Sequence, residues 1–258
     1  MVNWMFYLVG IGLKPEHLTL EAQDALKECT EIYLEQYTSQ FAEGSIEALE
    51  AFLGRKIILT DRHELESEFK EKLEFSKSRN IALLIFGNPL TATTHVQILL
   101  DCKKIRTPTR VIAGISVMNF IGHSGLQEYK FGRTVTIVTP EKNYSPESFY
   151  DLILENQKLG LHSLCLLDIK QEFKKLMSIK EAIVVLEAIG EKRKDAMLKN
   201  SVLVGIAGAG SSKMQLKAGT ARQLKAYSFH EFPQCLIVCG SLSDKEKEAL
   251  KELSGLKA

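Results

Sequence analysis

Short apolar runs alternate along this chain with longer stretches in which apolar residues recur every three or four positions. The short runs read as strands: Met5–Val9, Glu31–Leu34, Lys56–Leu59, Ile81–Phe86, Arg110–Ile112, Thr134–Val138, Ser163–Leu167, Val202–Ala207 and Cys235–Val238. The amphipathic stretches predict helices over 19–29, 43–53, 64–78, 93–104, 146–158, 178–189 and 243–253. Alternating strands and helices predict an α/β fold with a largely parallel sheet, because parallel neighbours need a crossover. The pattern loosens over 114–133, where GISVMNFIGHSGLQEYKFG carries four glycines and few charges. A junction there divides the chain into two α/β domains, 1–113 and 114–258. The stretch IKQEFKKLMS (169–178) reads as an exposed loop. SDKEKEALKELSGLKA reads as an amphipathic helix capped by Ser243, with its charges facing solvent.

Three strand-ending loops are rich in glycine. GNPLTATTH (87–95) leads from an apolar strand through a Gly-Asn-Pro turn into a helix. Thr91, Thr93 and Thr94 are its N-cap candidates, and Val96, Leu99 and Leu100 its apolar positions. In open α/β sheets ligands sit in the crevice outside such strand ends. Gly87 permits close backbone approach and Pro89 sets the turn without needing a donor, features that an ordinary strand-to-helix connection shares. Gly10-Ile11-Gly12 also follows a strand, but Pro15 occupies the third-glycine position of a dinucleotide fingerprint, which disfavours that ligand. GIAGAGSS (205–212) follows SVLV.

Composition narrows the picture. The 258 residues are 45% hydrophobic and 25% charged, the average of a globular protein. The net charge of +1 supplies no global field for nucleic acid or an anionic membrane. Five scattered cysteines without a C-x-x-C pair predict free thiols, a reducing compartment and a cytoplasmic protein. The first residues show neither a basic n-region nor a small-residue cleavage site. Residues 81–100 lack Asp, Glu, Lys and Arg, but the central Gly-Asn-Pro, the threonines and His95 argue against a membrane span.

Candidate chemistry is sparse. His63, His123, His162 and His230 are isolated and H-E-x-x-H is absent, so no metal site is expected. His95 either approaches a ligand or starts the helix. GHSGL (122–126) has the wrong spacing for a nucleophile elbow, and no lysine follows a glycine loop as in a P-loop. What remains is a ligand met by backbone and small polar groups. A zwitterionic nucleoside carrying its own activated group fits, since it asks only for positioning and desolvation.

The segments YLVGIGL (7–13), YLEQYTS (33–39), GNPLTATTH (87–95), GISVMNFIG (114–122), GLQEYKFG (125–132), PESFYD (146–151), GLHSLCLLDIK (160–170), GAGSS (208–212) and LIVCGSL (236–242) occur in the order that marks one family. The chain resembles, nearly end to end, the diphthine synthases of the tetrapyrrole-methylase-like superfamily. The resemblance implies two α/β domains with a methyl donor in the cleft between them, and a homodimer. The donor it implies is S-adenosylmethionine, with S-adenosylhomocysteine as product. Its contacts carry over to Leu13, Asn88, Thr91, Ser116, Val117, Leu167, Ala209 and Gln234. The family commonly has Gly-Asp-Pro where this chain has Asn88, and histidine where it has Gln234. The implied substrate is translation elongation factor 2 carrying a 3-amino-3-carboxypropyl group on one histidine, whose amine is methylated repeatedly to form diphthine in diphthamide biosynthesis. The leaving proton can go to water, so no general base is named. Lys130 and Arg133 are candidates for the substrate carboxylate, or are solvated residues leading into the strand at 134. The competing readings are a methylase of a tetrapyrrole or corrin precursor and a non-catalytic binding homologue.

Overall fold

The first five apolar runs form one sheet. The structure, a computed structural model, describes residues 4–142, 144–170 and 175–256. It divides into two units, Met1–Asn119 and Phe120–Ala258, and the division falls inside the glycine-rich 114–133 segment. Unit 1 contains β1 (Phe6–Gly10), β2 (Glu31–Glu35), β3 (Ile58–Thr60), β4 (Ile81–Ile85) and β5 (Thr109–Ile112). They lie in the order β3-β2-β4-β1-β5 and pair in parallel throughout. Every residue of β1 and β4 is buried, as the uninterrupted apolar runs require of central strands covered on both faces. Their side chains alternate between two cores: Tyr7, Val9, Ala82 and Leu84 meet one face, Phe6, Leu8, Leu83 and Ile85 the other.

Helices α1 (Leu20–Lys27) and α2 (Ile46–Leu53) cover the first face with Leu26 and Leu49. The second face takes Phe69 and Leu73 of α3 (Phe69–Phe75) and Ile98 and Cys102 of α4 (Val96–Lys104). Thr19 and Ser45 cap α1 and α2 by accepting from the Ala22 and Ala48 N–H groups. The beginning of α4 differs from expectation. None of Thr91, Thr93 or Thr94 caps it; His95 occupies the N-cap and makes no side-chain cap bond. The Thr93 hydroxyl instead donates to the Pro89 carbonyl at 2.7 Å, inside the preceding turn. The helix buries Ile98 and Cys102, leaving Val96 and Leu100 more than half exposed at 55% and 51%.

Unit 2 corrects the expectation of a parallel sheet. Its strands β6 (Val135–Ile137), β7 (Ser163–Leu167), β10 (Leu203–Ala207), β11 (Gln215–Gly219) and β12 (Gln234–Val238) lie in the order β11-β10-β12-β7-β6. Only β6 and β7 pair in parallel. The GAGSS turn sends β10 straight back as β11, a hairpin that needs no crossover. Part of the expected 169–178 loop is also strand: β8 (Ile169–Lys170) pairs with β9 (Lys175–Leu176), and 171–174 lie outside the described residues. Helices α5 (Ser148–Lys158), α6 (Ile179–Arg193), α7 (Met197–Asn200), α8 (Ala221–Ala226) and α9 (Asp244–Ser254) complete the unit. No described helix is long and apolar enough to cross a membrane.

Ser243 caps α9 as expected, but the charges of that helix do not all face solvent. Glu246 closes a capping box with Ser243 and is fully buried. It accepts from the Gln127 N–H at 3.2 Å and from the Lys130 ammonium, and pairs with His162 Nε2 at 3.0 Å. Lys130 also donates to the Ser241 carbonyl at 2.7 Å, so its ammonium is engaged inside unit 2 rather than offered to a substrate. Arg133 makes only an exposed pair with Glu155. Burial pushes the Glu246 carboxyl up, but Lys130, the Ser243 amide, His162 and Gln127 together hold it down at about 2. Burial lowers the His162 imidazole, outweighing the pull of Glu246.

Both shifts have the same sign for stability. The unfolded chain binds protons on these groups more readily than the folded one, so stability falls with pH, first below about 6.5 through His162 and then from about 4.3 toward 2 through Glu246. Thermal unfolding followed between pH 8 and 3 should show this loss, and Glu246→Gln should flatten its lower part. Glu246→Ala, which strands Lys130 and His162, should destabilise by about 3 kcal/mol in urea at pH 7.

Candidate functional site

The strand order of unit 1 creates a crevice. The connection leaving β1 runs to β2 on one side, and that leaving β4 runs to β5 on the other. The helices they carry, α1 and α4, cover opposite faces, the arrangement of a topological switch point, where ligands of open α/β sheets bind. The loops there are the glycine segments at 10–13 and 87–91. They meet through backbone: Gly12 N–H donates to the Gly87 carbonyl at 3.2 Å, and Gly87 N–H to the Gly12 carbonyl at 2.8 Å. Both glycines have positive φ, +75° and +73°. Gly10 and Gly114 approach so closely that a Cβ on Gly10 would lie 2.6 Å from the Gly114 nitrogen and from the Gly87 oxygen. A side chain on Gly10 or Gly114 would push the strand ends apart, whereas Gly87 is required by its positive φ.

Five expected donor contacts are gathered at this end of the sheet. Leu13 follows the first loop, is buried, and is tied by its N–H to His17 Nδ1 at 3.3 Å and by its carbonyl to the Ala42 N–H at 2.8 Å. Asn88 is half-buried; its Oδ1 accepts from the Leu90 N–H at 3.1 Å, and its carbonyl accepts from the Thr91 N–H at 3.2 Å. Its Nδ2 donates to none of the described residues. Ser116 lies 3.8 Å from where a Gly87 Cβ would stand. Its N–H donates to Asn119 Oδ1 at 2.9 Å, and its hydroxyl accepts from the Met118 N–H at 3.2 Å. Val117 opens a 3-10 stretch, Val117–Ser124.

The remaining three belong to unit 2. Leu167 ends β7, Gln234 begins β12 and Ala209 follows β10, so the antiparallel register brings all three to one end of that sheet, buried. The Gln234 amide is engaged internally: Oε1 accepts from the Ile179 N–H at 2.8 Å, and Nε2 donates to the Glu231 carbonyl at 3.0 Å. Gln234 therefore serves α6, whose first N–H it satisfies, and any contact it makes with a ligand falls to its backbone.

The sequence reading passed over Glu35. This carboxylate ends β2 with no exposed surface and takes the Tyr37 and Thr38 N–H groups at 2.5 and 2.6 Å. His95, 2% exposed, faces it. His95 Nδ1 lies 3.2 Å from the Pro89 carbonyl, which can only accept, and Nε2 lies 3.5 Å from Glu35 Oε2. Burial lowers the His95 imidazole against the opposing pull of Glu35. The available signal was a charged residue closing an apolar strand. Among the described residues no group of three or more His, Cys, Asp and Glu side chains could hold a metal ion.

Residues 5–222 match the sequence profile of the Tetrapyrrole (Corrin/Porphyrin) Methylases. Diphthine synthase of Methanococcus aeolicus is 39% identical over 96% of this chain and 98% of its own length. The chain belongs to the diphthine synthase family. Diphthine methyl ester synthases of Candida glabrata and Homo sapiens are 38% and 36% identical, each over 97% of this chain and over 90% and 95% of their own lengths. A crystal structure of diphthine synthase superposes with a TM-score of 0.88, at 30% identity over 98% of this chain and 97% of that one. The mixed second sheet is thus part of the architecture this family shares.

Within the diphthine synthase frame, the glycine contact at the switch point should tolerate no side chain. Gly114→Ala is expected to destabilise unit 1 by about 1–3 kcal/mol through overpacking. The midpoint of urea unfolding, followed by circular dichroism, checks this.

Proposed function

We propose that this chain is an S-adenosylmethionine-dependent methyltransferase that repeatedly methylates the amino group of 3-amino-3-carboxypropyl-histidine on translation elongation factor 2, forming diphthine in diphthamide biosynthesis. The observation that carries this reading is end-to-end similarity to archaeal diphthine synthases and eukaryotic diphthine methyl ester synthases alike. The neutral, backbone-lined crevice of unit 1 supports it. The residues we assign to donor contact are Leu13, Asn88, Thr91, Ser116, Val117, Leu167, Ala209 and Gln234. When bound, it supplies a methyl group already activated on a sulfonium. The chain's own task is to hold that group in line with the attacking amine and to exclude water. Asn88 Nδ2 and the Thr91 hydroxyl serve as orienting partners, while Leu13, Val117 and Leu167 provide apolar walls. The amine attacks as its free base, and the proton it lost passes to solvent. The protein works in the cytoplasm as a homodimer, with elongation factor 2 as its protein partner.

Calorimetry should detect both S-adenosylmethionine and S-adenosylhomocysteine; no heat with either at millimolar concentration removes the methyltransferase reading. Labelled donor should modify elongation factor 2 that carries the aminocarboxypropyl group and leave the unmodified factor unlabelled. Mass spectrometry should show successive methyl increments up to the quaternary ammonium. One further, base-labile increment would mark esterification of the carboxylate, the product that the names of the Candida and human relatives describe. Transfer to a corrin precursor would favour the tetrapyrrole reading, and donor binding without transfer a non-catalytic homologue.

Asn88→Leu should weaken donor binding by about 1–3 kcal/mol. Asn88→Asp should be tolerated, because it restores the residue the family commonly has at this turn and its Oδ still accepts from Leu90, the contact to the donor then falling to the backbone. Light scattering should give twice the 28.9 kDa chain mass.

A further inference from the structure

Two loops of unit 1 are joined beneath the switch point by buried polar groups that the donor does not touch. The turn after β2 is tied to Glu35: Oε1 accepts from the Tyr37 and Thr38 N–H groups, and Oε2 from the Thr38 hydroxyl. The turn after β4 is tied to His95: Nδ1 donates to the Pro89 carbonyl at 3.2 Å, and the Thr93 hydroxyl donates to the same oxygen at 2.7 Å. Glu35 Oε2 and His95 Nε2 face each other at 3.5 Å, with 0% and 2% of the side chains exposed. β2 and β4 are neighbours in the sheet, so this contact, an ion pair when the imidazole carries both protons, sets Thr38 and Glu35 against His95 and the peptide that precedes Leu90. Glu35 and His95 themselves are shut off from solvent, so water does not replace a partner lost between them.

We propose that Glu35 and His95 are a positioning pair for the methyl donor: they lock the turn at 37–39 to the turn at 88–91, fixing the direction in which Asn88 and Thr91 are presented. The inference rests on the donor reading above. A pair that served only the core would affect stability and leave donor affinity alone. A positioning pair makes affinity depend on Thr38, which lies on a different loop from the proposed donor contacts Asn88 and Thr91.

The test is calorimetric titration of S-adenosylhomocysteine into the purified full-length chain, with thermal unfolding of each variant alongside. His95→Ala is expected to weaken binding about tenfold, and His95→Asn, which retains a donor near Pro89, to recover part of that loss. Thr38→Val is expected to weaken binding several-fold. The Thr38→Val, His95→Ala double variant should bind no worse than His95→Ala, because the Glu35–His95 contact is already broken. In turnover, KM for the donor should rise more than kcat falls. Affinities within twofold of wild type in Thr38→Val and His95→Asn, or strictly additive losses in the double variant, overturn the inference even if the unfolding temperatures drop. Should His95→Ala fail to fold, Thr38→Val and His95→Asn decide the matter. Wild-type protein that binds no S-adenosylhomocysteine refutes the donor reading and this inference with it, whereas wild-type binding with unaffected variants refutes the positioning pair alone.

Discussion

Backbone meets backbone at the ends of β1 and β4, and the rest of unit 1 is arranged around that contact. Gly10 and Gly114 leave no room for a Cβ and Gly87 turns with φ +73°, so three chain segments come together where other residues would hold them apart. The Gly12–Gly87 bridge then extends sheet-like pairing past the strand ends into the loops. Strand order makes this closeness useful. Because the helices that follow β1 and β4 cover opposite faces, the tight contact lies at the switch point and is not merely a crowded loop.

Unit 1 was legible because its central strands are buried on both faces. Such strands read as continuous apolar runs, and IALLI and FYLVG were placed to within a residue or two. Unit 2 was harder to read. β11 (QLKAG) is a half-buried edge strand with polar positions, and α8 spans only six residues, so neither has a strong period. The two short strands at 169–170 and 175–176 are shorter than any window that carries a signal. Threonines at 91, 93 and 94 looked like caps by type, but one of their hydroxyls closes a turn instead. Local pattern specifies elements well. It does not specify which of several identical polar groups a turn will recruit.

The same limit applies to charge. Lys130 looked like a free cation beside the domain junction, and Glu246 like one more charge on a solvated helix, yet each is the other's partner in the interior. Gln234, where the family commonly has histidine, serves the start of α6 through its amide. In both units, then, ionised and polar side chains under the surface hold loops in place, while the crevice of unit 1 is left to backbone and small neutral groups. For transfer from a sulfonium this division is physically apt: preorganised dipoles and apolar walls orient the reacting groups without a strong local charge that would attract water.

The Glu246 interactions also constrain when unit 2 can take shape during synthesis. Its carboxylate is made 119 residues after the Gln127 amide it accepts from, and 84 residues after His162. Until α9 emerges, the Gln127–Phe131 segment lacks its acceptor and His162 its partner, and no nearer residue supplies a substitute in the finished fold. β12, likewise, must arrive before β7 and β10 can be joined in one sheet. Pairings of such long sequence separation form late and slowly, leaving hydrophobic surface open in the meantime. A nascent chain paused before α9 would therefore hold unit 2 as an incomplete layer, and this is the stage at which a chaperone has most to protect.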